Sequence, residues 1–217
     1  DKMGRDIFVR ILFGARISLA VGCLAAVINL IVGTIYGGIA GYVGGKVDMI
    51  MMRVVDIIYS VPSMLYIVLI MLIFGASVVS IMLGISITCW IDMARIVRQQ
   101  VKSLKEQEFT MAAFVLGASS SRILLKHLLI NTMGQIIVTV TLMVPQAIFT
   151  EAWLSFLGVG ISAPMASWGT LAQDARELIM TYPMQTVYPM IAICITIFSF
   201  NFVGEGLEKA LDPKRKR

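Results

Sequence analysis

Residues 17–40 read ISLAVGCLAAVINLIVGTIYGGIA, a stretch without a single charge. A helix crosses a bilayer core with about 20 mostly apolar residues. In lipid no water serves the backbone, so a lone segment must close its hydrogen bonds within itself, which only a helix does. Residues 17–40 therefore predict a transmembrane helix. Gly33, Gly37 and Gly41 recur every fourth position, and Asn29, Ala25 and Ala26 continue the strip. Small residues four apart let a second helix come close, where van der Waals contact replaces the absent hydrophobic drive. These three glycines are thus the expected helix-packing face, and Gly44-Gly45 the turn after it.

Working outward, the stretches 54–74, 78–96, 136–157 and 186–203 meet the same test, giving five spans. Repeated short alternating strands, the mark of a barrel, are missing from the pattern. Of the 217 residues, 58% are hydrophobic and 14% charged, with mean hydropathy +0.87. Soluble domains run nearer 45–50% and about 25%, so lipid must cover much of this surface. The net charge of +5 sits in short clusters between apolar runs, with no aromatic-interleaved basic stripe. That placement speaks for membrane loops and against nucleic acid. Cys23, Cys89 and Cys194 lie far apart inside apolar runs, which reads as buried thiols serving as small apolar side chains.

Lys46 and Arg53 follow the first span; Arg95, Arg98, Lys102, Lys105, Arg122 and Lys126 follow the third; Lys209 and Lys214 to Arg217 follow the fifth. The connection 75–77 has no basic residue and 158–185 only Arg176. Alternate loops, including the tail 207–217, are therefore expected in the cytoplasm. Lys2, Arg5, Arg10 and Arg16 then fall on the outer side, a conflict that a sixth, earlier span would resolve. Residues 1–16 are expected as an outer interfacial segment, with Phe8, Ile11 and Leu12 on one face.

No catalytic or nucleotide motif survives inspection. Gly44-Gly45-Lys46 echoes a phosphate loop, but Ala40 and Val47 stand where its first glycine and its hydroxyl belong. His127 has no carboxylate or nucleophile beside it in sequence. No cofactor and no metal is expected, and any pumping must draw on energy from another subunit. Arg53 with Asp56, and Asp92 with Arg95, are expected as local pairs. Glu151 shares a span with Gln135, Thr139, Thr141, Pro145 and Gln146. Gln146 and Glu151 are candidates to line an aqueous path, and a hydrogen bond from Glu151 to a neighbouring helix, or its proximity to the headgroups, is the other reading; both stay open. Pro62 and Pro145 are expected to kink their helices.

Residues 106–131 read as helix, break at Gly117-Ala118, and helix. A pair this long is not needed to join two spans, so docking on a partner is the sharper expectation and a helix lying on lipid the duller one. Here a resemblance enters. Gly4-Arg5-Asp6, Gly14 to Ser18, Ala112-Ala113 with Leu116-Gly117-Ala118-Ser119, Ser155 to Gly160, Pro164 with Ser167-Trp168-Gly169, and Ala210-Leu211-Asp212-Pro213 stand in the order found in one family. The chain resembles the C-type inner-membrane permeases of ABC importers for oligopeptides, dipeptides and nickel, over essentially its whole length.

That resemblance implies an all-α, polytopic, type I importer transmembrane domain of the MetI-like kind over 17–206, five helices of an expected six. It implies a coupling-helix loop at 106–131, with Ala112, Ala113, Leu116, Gly117, Ala118 and Ser119 seated in an ATPase. The implied partners are a homologous second permease, two cytoplasmic ABC ATPases and an extracellular or periplasmic substrate-binding protein, in a bacterial or archaeal cell membrane. Met111 replaces a usual acid, Phe114 a commonly basic position and Ile130 an expected proline, so the implied seat is more apolar than the family's. Peptides are the implied cargo; nickel or metal chelates, another small solute, and an ATP-independent secondary transporter are the alternatives.

Overall fold

In the computed structural model, which describes residues 1, 3–161 and 165–211, the chain is helical and no strand occurs among those residues. Pro164, Asp212, Pro213 and the basic tail residues 214–217 lie outside the described residues. The helices are α1 (Ile7–Val43), α2 (Gly45–Ser60), α3 (Ser63–Phe74), α4 (Val78–Lys105), α5 (Glu108–Val115), α6 (Ser120–Phe156), α7 (Trp168–Ala175) and α8 (Met184–Leu211). Four of them, α1, α4, α6 and α8, are long and apolar enough to cross a membrane, and α2 with α3 make a fifth if the broken pair is one span.

Two of the breaks have a plain local cause. Gly44 and Gly45 both take positive φ between α1 and α2, a region that side chains avoid and glycine enters freely. Val61 is extended ahead of Pro62, because the proline ring crowds a helical residue before it and offers no N–H to continue the ladder. Pro145, by contrast, sits inside an unbroken α6. Two π-helical turns, Asn29–Gly33 in α1 and Ile123–Leu128 in α6, widen the helix by one residue each.

The chain forms two compact units. The first comprises 1–26, 62–87 and 141–203. Here Gly22 of α1 meets Val144 and Ile148 of α6, and Gly84 of α4 meets Ile67 of α3. The second comprises 27–61, 88–140 and 204–217. Its main contact is α1 on α4, where a Cβ at Gly33 would stand 2.6 Å from that of Met93, one at Gly41 2.7 Å from the Arg98 carbonyl, and one at Gly37 inside the Ala94 backbone. Met93, Val97, Val101, Ala113, Ile123, Leu128 and Ile136 form its core. A second cluster joins Val55, Trp90, Ile91 and Ala94, with the Tyr36 ring 4.8 Å from that of Trp90.

Two sequence expectations need correction. Arg95 pairs with Asp56 on α2 at 3.1 Å rather than with Asp92 on its own helix; α2 packs beside α4, so the cross-helix partner is in reach. Its guanidinium also lies over the Tyr59 ring. Cys23 and Cys194 are not buried by the chain: both sit on faces its described residues leave open, and only Cys89 is part-covered.

Candidate functional site

The loop from Glu106 leads out of α4 through a single turn. Thr110 Oγ1 donates to the Leu104 carbonyl at 2.8 Å, tying the start of α5 to the end of α4. Ala113 is buried against Val97 and Val101 of α4 and Ile123 and Leu128 of α6, whereas Ala112 faces out. Gly117 ends α5 with φ +79°, a conformation that costs a residue with a Cβ about 1–2 kcal/mol. The Gly117 and Ala118 N–H groups close onto the Phe114 and Ala113 carbonyls, both at 3.0–3.1 Å, the pattern of a helix terminated by glycine. What the turn presents is apolar: Met111 is 59%, Phe114 72%, Val115 83% and Leu116 86% exposed. Contiguous exposed apolar patches mark surfaces that something else covers. Ser119 is exposed and Ala118 half-buried.

In the first unit Glu151 is fully buried. Ser18 of α1 donates to its Oε2 at 3.0 Å and Ser155, one turn on, to Oε1 at 2.8 Å. Ser18 Oγ accepts from the Trp168 backbone N–H at 3.3 Å, and Trp168 Nε1 donates to the Ile11 carbonyl at 3.0 Å. Ser167 caps α7 through a reciprocal box with Thr170. Gly160 and Gly169 admit this crowding, since a Cβ on either would strike Ser155. Of the two readings open for Glu151, the hydrogen bond to neighbouring elements is the geometry present. Gln146, five residues earlier on α6, is exposed.

Residues 33–217 match the family model described as binding-protein-dependent transport system inner membrane component. The chain belongs to this family. Among its relatives, the oligopeptide transport system permease protein OppC of Bacillus subtilis strain 168 is 52% identical over 217 residues, 100% of this chain and 71% of that protein. The dipeptide transport system permease protein DppC of the same strain is 48% identical over 218 residues, 100% and 68% of the two chains. OppC of Escherichia coli K12 is 45% identical, covering 99% and 71%. Among solved structures, the MetNI methionine ABC transporter in inward-facing conformations superimposes with a TM-score of 0.74 over 95% of this chain and 96% of that one, at 16% identity. At that identity the likeness concerns the fold, which is the MetI-like importer fold expected from the resemblance.

For a member of the binding-protein-dependent transport family, the two groupings differ in kind. The loop collects Ala112, Leu116, Gly117, Ala118 and Ser119 at one exposed turn, with Ala113 turned inward as its anchor. Gln146 and Glu151 lie on one helix, the first exposed and the second buried. Sequence reasoning missed the serines around Glu151: hydroxyls are ordinary in membrane helices, and nothing local marks Ser18 as a partner 133 positions away.

Proposed function

We propose that the chain is the permease subunit of an ATP-driven importer, forming half of a membrane path for peptides and performing no covalent chemistry itself. The observation that carries this is 52% identity over the full chain to a protein named as an oligopeptide permease, with a dipeptide permease at 48%. A second, homologous permease completes the path, two cytoplasmic ATPases supply energy, and a binding protein delivers the peptide. The protein crosses the cell membrane several times with its C-terminus in the cytoplasm, an orientation the loop charges support. Residues 17–206 form the transmembrane domain, 1–16 lie at the outer interface and 207–217 form the tail.

The turn at Ala112, Ala113, Leu116, Gly117, Ala118 and Ser119 seats in an ATPase. Its exposed apolar side chains support that role, and the absence of charge at Met111 and Phe114 makes the contact one of shape and burial. ATP favours the closed ATPase pair, and only this difference in affinity between two states can move the equilibrium. The turn relays that closure, and the bundle opens outward. Gln146 faces the path, where an uncharged amide hydrogen-bonds a peptide backbone whatever its side chains.

The test is uptake of labelled oligopeptides into proteoliposomes holding the whole complex and its binding protein. ATP-dependent accumulation that non-hydrolysable ATP cannot support is expected. Peptide movement down its gradient without ATP, or accumulation of metal chelates alone, contradicts it.

A further inference from the structure

Asp48 opens α2 and is 4% exposed, yet it carries no role in any of the foregoing. Arg98 of α4 grips it with two nitrogens, Nε on Oδ1 and Nη2 on Oδ2, the latter at 2.7 Å. Lys102, one turn further along α4, reaches Oδ2 at 2.5 Å. Lys105, a further turn on, donates to the Tyr42 carbonyl at the end of α1 and lies over the Tyr42 ring. The Arg98 carbonyl itself packs on Gly41. A single stretch of α4, residues 98–105, is thus bonded to both arms of the α1–α2 hairpin.

The same stretch carries the exposed turn. Val97 and Val101 pack on Ala113, Ile123 and Leu128, and Leu104 accepts from Thr110. Displacement of the turn therefore bears on α4 as well as on α6, and α4 holds the hairpin through Asp48. The hydrophobic drive of packing is non-directional. A carboxylate held by a forked guanidinium and an ammonium fixes register, since the bidentate geometry admits one alignment. Asp48 is buried while Arg98 and Lys102 stay 30% and 43% exposed, and ion pairs with exposed cations contribute little to stability, so stability alone does not explain this one.

We propose that Asp48 is a positioning residue of the coupling machinery, locking the α1–α2 hairpin to α4 so that motion of the 112–119 turn is passed to the spans. This rests on the reading of that turn as the ATPase seat. In the complete complex, with ATPases and binding protein in proteoliposomes, Asp48→Asn keeps basal ATP hydrolysis and lowers peptide uptake per ATP by about tenfold, within the usual range of coupling energies. Lys102→Met, which leaves the Arg98 fork in place, lowers the ratio by less and guards against an Asp48 variant that does not assemble. A purely structural role predicts reduced complex yield, with uptake and hydrolysis falling together and their ratio constant in both variants; that result overturns the proposal. Gly117→Glu separates the two ideas. If it uncouples while the Asp48→Asn ratio is unchanged, only the Asp48 proposal fails; if it too leaves the ratio unchanged, the seat reading fails and takes the Asp48 proposal with it.

Discussion

Glu151 is a carboxyl within a helix long and apolar enough to cross a membrane, fully enclosed, and its acceptors are taken by serine hydroxyls. Burial of such a group is tolerated only when its hydrogen bonds are made. Replacing it by Gln keeps the volume and one acceptor oxygen, and the rotatable hydroxyls can turn to accept from the new amide. Replacing it by Ala strands Ser18 and Ser155 and opens a void. Unmet buried polar groups cost about 1–3 kcal/mol each, so Glu151→Ala is expected to lose about 2–4 kcal/mol, and Glu151→Gln about 1 kcal/mol or less. Thermal unfolding of the detergent-purified complex reads the difference. Equal losses in the two variants would mean that the charge, not the hydrogen-bond geometry, holds the site. Of these partners only Ser155, one turn along the same helix, was within reach of sequence spacing; Ser18 and Trp168 belong to separate segments that only folding gathers to Glu151.

Elements were far more legible. The bilayer imposes a length and an apolarity on each span, so all five predicted stretches lie within observed helices or the broken α2–α3 pair, apart from Leu157, which falls just past the end of α6. The helices run past the apolar limits, because charged turns such as Arg98 to Lys105 find partners on α1 and α2 that no hydropathy scale contains. The π turns were invisible for a related reason: an extra residue in a turn is accommodated by the packing around it, not encoded by a motif. The glycine strip yields a sharp contrast between neighbours. Gly37 has the Ala94 backbone where a Cβ would go, whereas Gly38 would meet only Leu129 and Leu124 side chains at 3.5 Å or more. Gly37→Ala is expected to push α1 off α4 at a cost of about 1–3 kcal/mol. Gly38→Ala is expected to be neutral or to gain about 0.5–1 kcal/mol, the ordinary advantage of alanine within a helix. Chemical denaturation in mixed micelles, scored by helical signal, checks the pair. Equal tolerance at both positions would show that α1 and α4 are not in close register.

At the scale of the whole molecule, the second of two compact units carries an uncovered apolar turn. The apolar side chains at Met111, Phe114, Val115 and Leu116 have no cover within the described chain, while Ala113 and Thr110 fasten the turn's other side to α4. A surface held rigidly from behind and left bare in front suits transmission of force to or from a partner. Its apolar character implies that the contact survives ionic strength that would screen surface charge pairs. The most direct measurement places a short bifunctional cross-linker on Leu116→Cys in the complete, membrane-embedded complex at high salt. A covalent adduct with an ATPase subunit, strengthened when ATP is bound, is the expected product. Adducts with lipid alone, in a complex whose ATPases are demonstrably present, would contradict the proposal that this turn is where the importer is driven.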